Sequence, residues 1–579
     1  MSTRSDKPPL ADDPAARWVS ARPLENNVNR PEAIESIKQW LSNCANHHQQ
    51  CVLRNDTADR STTSPRRLIR VESDLDDRLR VSLVSSSDRE PRPYAALSYC
   101  WGVAQNVILT EANIGGWHTE IPIFSLPQSI QDALLVVHGL GLLYLWVDAL
   151  CIIQDSSTDK DEEISVMNLI YEQAVLTICV GCAGACTEGF LQRRSFGEEP
   201  MPTLDYSALQ FACPTGEQGT VLAKTSQTYY VTREPLYERA WTLQEQMLSS
   251  RVLVYSSSQV WWECLEVKGC DRGKPYSIQS NGGTIGSLPR NGLAKRVERS
   301  LNHNRDYLWK AWQEIVEDYS GRELSVASDK LPALSALASN FSGIWSCAYY
   351  AGLWERRLLE GLRWHLYNPP SWKPDEYTAP SWSWASTVGS ISWEDKASEE
   401  DVAENNPAER TKIIDCRTTL ANENVPFGQV TDGSLMIEGA AQWIEWDGQE
   451  QVEAKGLSPG FCVTRSTAIG DPLFPEGIVA LANPDYDQIE LSSTSREPYL
   501  DAATPPSSTI TFWMGRVVQA RDNEAVMRIL LMVISRTAAL MLIALDKDTY
   551  ERIGLLTFRS EKDLEIYFLG INTERVVIR

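Results

Sequence analysis

Gly141-Leu-Leu-Tyr-Leu-Trp-Val-Asp-Ala-Leu-Cys-Ile-Ile-Gln154 decides how this chain folds. The run is apolar almost throughout and does not alternate. That is the pattern of a strand covered on both faces, as in a parallel sheet flanked by helices. Asp148 interrupts it. A carboxylate inside an apolar run is costly unless it is paired or sits at the strand's open end. In parallel α/β sheets that open end is where ligands bind. The stretch therefore points to a fold and a candidate site together, with a turn cap or an arginine partner as the structural alternative for Asp148.

Elements on either side agree with a parallel sheet. Upstream, Ser125 and Pro127 open a helix with Ile130, Ala133, Leu134 and Val137 at helical spacing, ended by Gly139 and Gly141. Downstream, Thr158 caps a helix whose buried face is Ile164, Met167, Tyr171 and Ala174, followed by a β-branched strand, Val175–Val180. Tyr94–Gly102 is a third apolar strand, ending in Ser98, Tyr99 and Trp101. Strands alternating with helices predict right-handed parallel crossovers. Short strands are also expected at 67–71, 80–84, 251–255 and 259–264, with a helix over Pro235–Leu248 carrying Leu236, Ala240, Leu243 and Met247 inward.

The boundaries follow composition. Residues 1–30 are polar and proline-rich and are expected to be disordered, and 31–65 form a helix and loop. The α/β domain covers 66–270, a Gly/Ser-rich linker 271–293, and a helical, Trp-rich region 294–390 with a strand signal at 379–385. An acidic loop (391–410) and a β-rich region (411–579) complete the chain.

Within 31–65, Cys44-x-x-His47-His48-x-x-Cys51 places metal-ligating types on one helical stripe. Zinc sites usually draw ligands from two separated segments, so the stripe is read as core and no metal is expected. Cys179, Cys182 and Cys186 lack a matching second pair and are set aside similarly.

The 579 residues carry a formal net charge of −23, which disfavours a nucleic-acid partner. Two apolar runs, Ala133–Ile153 and Arg528–Leu545, contain charges and glycines and are read as buried elements, so no membrane partner is expected. The start has no apolar core, and 13 scattered cysteines suit reduced thiols, so a cytoplasmic location is expected.

Three ordered blocks resemble the fungal heterokaryon-incompatibility (HET) domain: Tyr94-Ala-Ala-Leu-Ser-Tyr-Cys-Trp-Gly102, Leu145-Trp-Val-Asp-Ala-Leu-Cys-Ile-Ile-Gln-Asp155 with the helix through Ala174, and Arg239-Ala-Trp-Thr-Leu-Gln-Glu245. Ala240 stands where that family commonly has glycine, and Ile153 where it commonly has an acid. The resemblance implies an effector of fungal non-self recognition and programmed cell death. HET domains are in turn considered distantly similar to TIR domains, which have a flavodoxin-like parallel sheet. In NAD-cleaving TIR domains a glutamate four residues after a tryptophan, on the helix after the third strand, is essential. The matching positions are Glu245 and Trp241.

That resemblance implies an NAD glycohydrolase with Glu245 as the catalytic carboxylate, Trp241 stacking on a ring, and Ser98, Trp101 and Asp148 lining the same crevice. NAD is then a substrate, and no resident cofactor is expected. Cleaving its N-glycosidic bond passes through an oxocarbenium-like state that one carboxylate can stabilise. The alternative is a non-catalytic module that self-associates or docks a receptor or incompatibility partner, with Glu245 locked to Arg239 or Arg251 and Trp241 in the core.

Overall fold

A computed structural model gives two compact units, residues 1–304 and 305–579. The described residues are 13–270 less 20–27, 50, 52–64, 75, 77, 86–91, 103–104, 193–205, 225–233 and 258–259. To these are added 279–280, 283–284, and 306–579 less 367–375, 394–406, 447–460, 463–479, 485–526, 547–548, 559–563, 565–567 and 569–570. Most of 1–30, most of the expected linker and most of the acidic loop lie outside them.

The first unit is built on one eight-stranded sheet. Its strands are β1 (Arg67–Ser73), β2 (Leu79–Ser85), β3 (Ala95–Ser98), β4 (Tyr144–Trp146), β5 (Leu176–Val180), β8 (Arg251–Tyr255), β9 (Val260–Cys264) and β10 (Lys268–Cys270). A separate hairpin, β6 (Tyr206–Ala212) with β7 (Gln218–Lys224), stands between β5 and β8 in the chain. The sheet order is β10-β9-β8-β5-β3-β4-β1-β2. The centre, β8-β5-β3-β4, is parallel, and antiparallel strands close each side. The chain starts the parallel part at β3, adds β4 on one side, then returns to add β5 and β8 on the other. In parallel sheets such a reversal is the point at which ligands bind, at the strand ends.

Burial explains the pattern. Every residue of β3, β5 and β8 is buried, as a strand covered on both faces must be. The spine run is less regular than its apolarity suggests. Only Tyr144–Trp146 is strand; Asp148–Cys151 is a helical turn whose amides must be satisfied locally, and Asp148 Oδ1 accepts from Ala149 N at 2.7 Å.

Helices cover the sheet. In α2 (Gln128–Leu140), Ile130, Ala133, Leu134 and Val137 are fully buried, and Gly141 closes the helix at φ 76°. Gly139 lies inside the helix, and the Ser125 hydroxyl donates to Pro122 O instead of capping it. In α3 (Ser157–Gln173) the cap is Ser156, whose Oγ accepts from Asp159 N, rather than Thr158. Ile164 turns to solvent at 43% exposed, while Glu163 takes the buried position. The expected 235–248 helix is a turn, Pro235–Glu238, followed by α4 (Trp241–Leu248); Leu236, Ala240, Leu243 and Met247 are buried as expected. Helix α1 (Pro31–His47) packs on β9 through Trp40 and Trp262, with ring centroids 6.2 Å apart. Within the first thirty residues, Asp13–Val19 forms a turn, and Asp13 accepts from Thr220 N in β7 at 3.0 Å.

In the second unit, α5 (Asp306–Ser320) and α6 (Ser335–Trp345) meet in an aromatic core. Trp312 lies 5.2 Å from Phe341 and 5.4 Å from Trp354, both edge-on. Residues 379–385 are no strand. Pro380 offers no amide to a ladder, Ser383 Oγ accepts from Ala385 N, and the chain turns with Trp382 and Trp384 fully buried. The β-rich region holds a closed barrel: Val430–Trp446, Met527–Val533, Ala538–Ala544, Thr549–Phe558 and Thr573–Ile578 pair in a ring, the last strand bonding both Val430–Trp446 and Thr549–Phe558.

Candidate functional site

The site lies at the C-terminal ends of the parallel strands. Ser98 is the final residue of β3, and Tyr99 and Trp101 follow it. Asp148 comes two residues after β4. Glu245 lies on α4, the helix after the third parallel strand, and Tyr171 on α3, which packs against α4.

These side chains converge. Ser98, Tyr99, Tyr171 and Glu245 form a buried floor, with Glu245 only 7% exposed. Trp101, Asp148, Arg239 and Trp241 form a half-buried rim. Trp101 Nε1 donates to Asp148 Oδ2 at 2.9 Å. Arg239 donates to the Tyr99 carbonyl and acts electrostatically on both carboxylates. The Ser98 hydroxyl approaches Glu245, and the Tyr99 hydroxyl approaches Asp148. Neither reaches a properly formed hydrogen bond, so two buried hydroxyls point into the cluster with capacity to spare. The Tyr171 hydroxyl donates to Leu97 O at 3.1 Å and also faces Glu245.

The electrostatics follow from burial. Removal from water pushes the Glu245 carboxyl up to about 7. Arg239 and the Ser98 hydroxyl oppose the rise, and Asp148 adds to it. Asp148 is raised chiefly by the same loss of solvent and held back by Arg239, Ala149 N–H and Trp101. Tyr99 and Tyr171 are held well above the usual phenol range, first by burial and then by the neighbouring carboxylates. One guanidinium thus faces two carboxyls, a pair in which one member can carry a proton near neutral pH.

A loop lies beside the cluster. Gly102 has φ 70°, and a Cβ there would lie 2.6 Å from Ala185 Cβ. Cys186 N donates to Trp101 O at 3.4 Å, and Asp132 Oδ2 on α2 accepts from Phe190 N at 2.7 Å and Leu191 N at 2.9 Å. Residues 182–191 are thereby pinned beside the strand ends.

Of the residues singled out from sequence, the structure brings Ser98, Trp101, Asp148 and Glu245 together. Trp241, one turn before Glu245, is half-buried against the core around the sheet. Arg251 does not reach Glu245; it turns toward Cys44 Sγ at 3.2 Å. Arg239, named from sequence as a possible partner of Glu245, does act on it electrostatically, whereas Tyr99 and Tyr171 were read only as a strand end and a core position. Tyr171 reads as one more member of a core stripe, and only the α3–α4 packing shows its hydroxyl to be useful.

The cysteine stripe of α1 is also rearranged. The helix stops at His47, which is exposed, and His48 adopts extended backbone at φ −91°, ψ 103°. Cys44 and Cys51 are fully buried, and Cys264 of β9 joins them. The core reading of this stripe missed that fourth residue, 213 positions beyond Cys51.

Among the described residues no helix is long and apolar enough to cross a membrane. No curated protein and no solved structure matches the chain. All eight residues of the floor and rim fall within residues 94–245, which match the family model for the heterokaryon incompatibility protein (HET), so this part of the chain is a HET domain.

Proposed function

We propose that the HET domain hydrolyses the N-glycosidic bond of NAD or a closely related nucleotide, and that the protein acts through this step as a cell-death effector in heterokaryon incompatibility. The HET match points to incompatibility. The parallel order 2-1-3-4 supports a flavodoxin-like, and so TIR-like, arrangement. The observation that carries the chemistry is Glu245 and Asp148 meeting at the strand ends beside two hydroxyls with unused bonding capacity.

The reaction balances as NAD⁺ plus water giving nicotinamide, ADP-ribose and a proton. The bond from ribose C1′ to the pyridinium nitrogen breaks, and both its electrons leave with neutral nicotinamide. Glu245, as carboxylate, holds the ribose hydroxyls and stabilises the oxocarbenium charge, and a carboxyl near 7 is suited to take the proton of the incoming water. Ser98 and Tyr99 orient the sugar. Arg239 offers a cation to the pyrophosphate. Trp101 and Trp241 present ring faces at the rim for the base.

The test is nicotinamide release by concentrated full-length protein, wild type beside Glu245→Gln. We expect release by wild type and a fall of about 10²–10⁴-fold in a folded variant. Equal release by both would remove Glu245 from the reaction, and no release by either would end the hydrolase reading.

One observation favours a second reading, a docking or self-associating module. Phe124, in the turn before α2, is 98% exposed. On that reading Phe124→Ser abolishes self-association and cell death while any nicotinamide release is unaffected.

A further inference from the structure

We propose that Cys44, His48, Cys51 and Cys264 form a structural zinc site that fastens α1 to the edge of the sheet. The four ligand atoms all lie within 4.8 Å of one another. His48 Nδ1 is 3.2 Å from Cys264 Sγ. Metal–sulfur bonds of about 2.3 Å set ligand-to-ligand edges of about 3.8 Å, so a tetrahedral ion fits with a small inward movement.

The backbone is shaped for this. Cys44 lies in the last turn of α1. The helix ends at His47, and the extended backbone of His48 redirects the chain so that His48 and Cys51 face the sheet beside Cys44. Cys264 arrives from the opposite side, at the end of β9. There a tight turn, with Cys264 N donating to Val267 O at 2.9 Å, lets Val267 N donate back to Cys264 Sγ at 3.3 Å. Amide-to-sulfur bonds of this kind hold thiolates in place around a metal. The ligands thus come from two separated segments, the arrangement missing when α1 is read alone.

Charge supplies an independent argument. Arg251 is 4% exposed and has no carboxylate partner among the described residues. Its Nε donates to Cys44 Sγ at 3.2 Å, and NH1 to Val175 O at 3.4 Å. A buried guanidinium needs an anion. Three thiolates, one neutral imidazole, Zn²⁺ and Arg251 sum to zero, so the fully deprotonated ligand set leaves no net charge buried when the metal is bound. Three thiolates with one imidazole select zinc over hard cations.

The site is separate from the carboxylate cluster. Cys264 pairs with Arg251, the first residue of β8, so it lies at the opposite end of the parallel strands from Ser98. None of the four ligands falls within residues 94–245. The role is therefore structural.

The experiment measures metal in full-length protein purified with reductant and without chelator, using atomic emission. About one zinc per chain is expected. Cys264→Ser and Cys51→Ser should reduce it at least tenfold, whereas His47→Ala should keep it. If the serine variants do not fold, wild-type protein stripped of metal and reloaded with Co²⁺ decides the matter: intense thiolate-to-cobalt charge-transfer and tetrahedral d–d bands are expected. Metal-free protein that develops no such bands, iron in place of zinc, or a disulfide among the three cysteines would each overturn the assignment.

Discussion

Glu245, the carboxylate of the proposed reaction, also carries a stability cost. Its carboxyl titrates near 7 in the folded chain, against about 4.5 when unfolded. A raised acid favours folding fully below the unfolded value, and that contribution is lost as pH rises through 4.5 to 7. Glu245→Gln should therefore leave stability unchanged near pH 4 and raise it by about 1–3 kcal/mol at pH 8, read from urea midpoints at both pH values. On the proposed hydrolase reading, nicotinamide release should climb over the same window with a midpoint near 7, because the carboxylate would be the working form; a flat profile would contradict that role. Gly102 is the second sensitive residue. Alanine there meets both a positive φ and the Ala185 Cβ 2.6 Å away, so Gly102→Ala should cost about 1–3 kcal/mol and lower activity by displacing the 182–191 loop. Sequence reading reached Asp148 because a carboxylate inside an apolar run is conspicuous, and Glu245, flanked by Gln244 and Gln246, only through the resemblance to TIR domains. Tyr171 carries no such contrast, and a tyrosine in a core stripe reveals its hydroxyl's direction only once its helix is placed.

At the level of elements, a polar clamp ties β1, the turn after Asp148 and α3. Arg67 NH2 donates to Asp159 Oδ1 at 2.7 Å and its Nε to Cys151 O at 2.6 Å, while Asp159 Oδ2 accepts from Ile153 N at 2.8 Å. Both partners are buried. Asp159→Ala would leave the buried Arg67 with only Glu163, 3.8 Å away, and should destabilise by up to about 3–5 kcal/mol, seen as an earlier denaturation midpoint. The substitution should also lower activity, since the same turn carries Asp148. Element types were legible where apolar spacing is regular, as in α2. They were misread where polar residues carry the packing: Glu163 rather than Ile164 faces inward on α3, next to Arg67 at 3.8 Å. The Trp-rich 379–385 stretch is apolar enough for a strand, yet Pro380 and the Ser383 cap make it a turn. The zinc ligands show the same limit, because no local pattern joins Cys264 to α1.

For the molecule as a whole, alternating strands and helices announced the parallel sheet, and a β-rich tail was expected. What a sequence cannot display is closure. The Thr573–Ile578 strand completes the barrel by pairing with Val430–Trp446 through Leu435–Ala440 and with Thr549–Phe558 through Thr549 and Tyr550. Deleting residues 573–579 should therefore expose two strand edges, and the shortened chain should aggregate, measurable by light scattering at equal concentration. The ring also has a temporal consequence. Synthesis proceeds from the N-terminus, so the HET domain can fold while the barrel still gapes on the ribosome. For that interval each nascent chain offers an unpaired edge to chaperones or to a neighbouring polysome product. The chain is then most exposed to misassembly in the interval before its synthesis is finished.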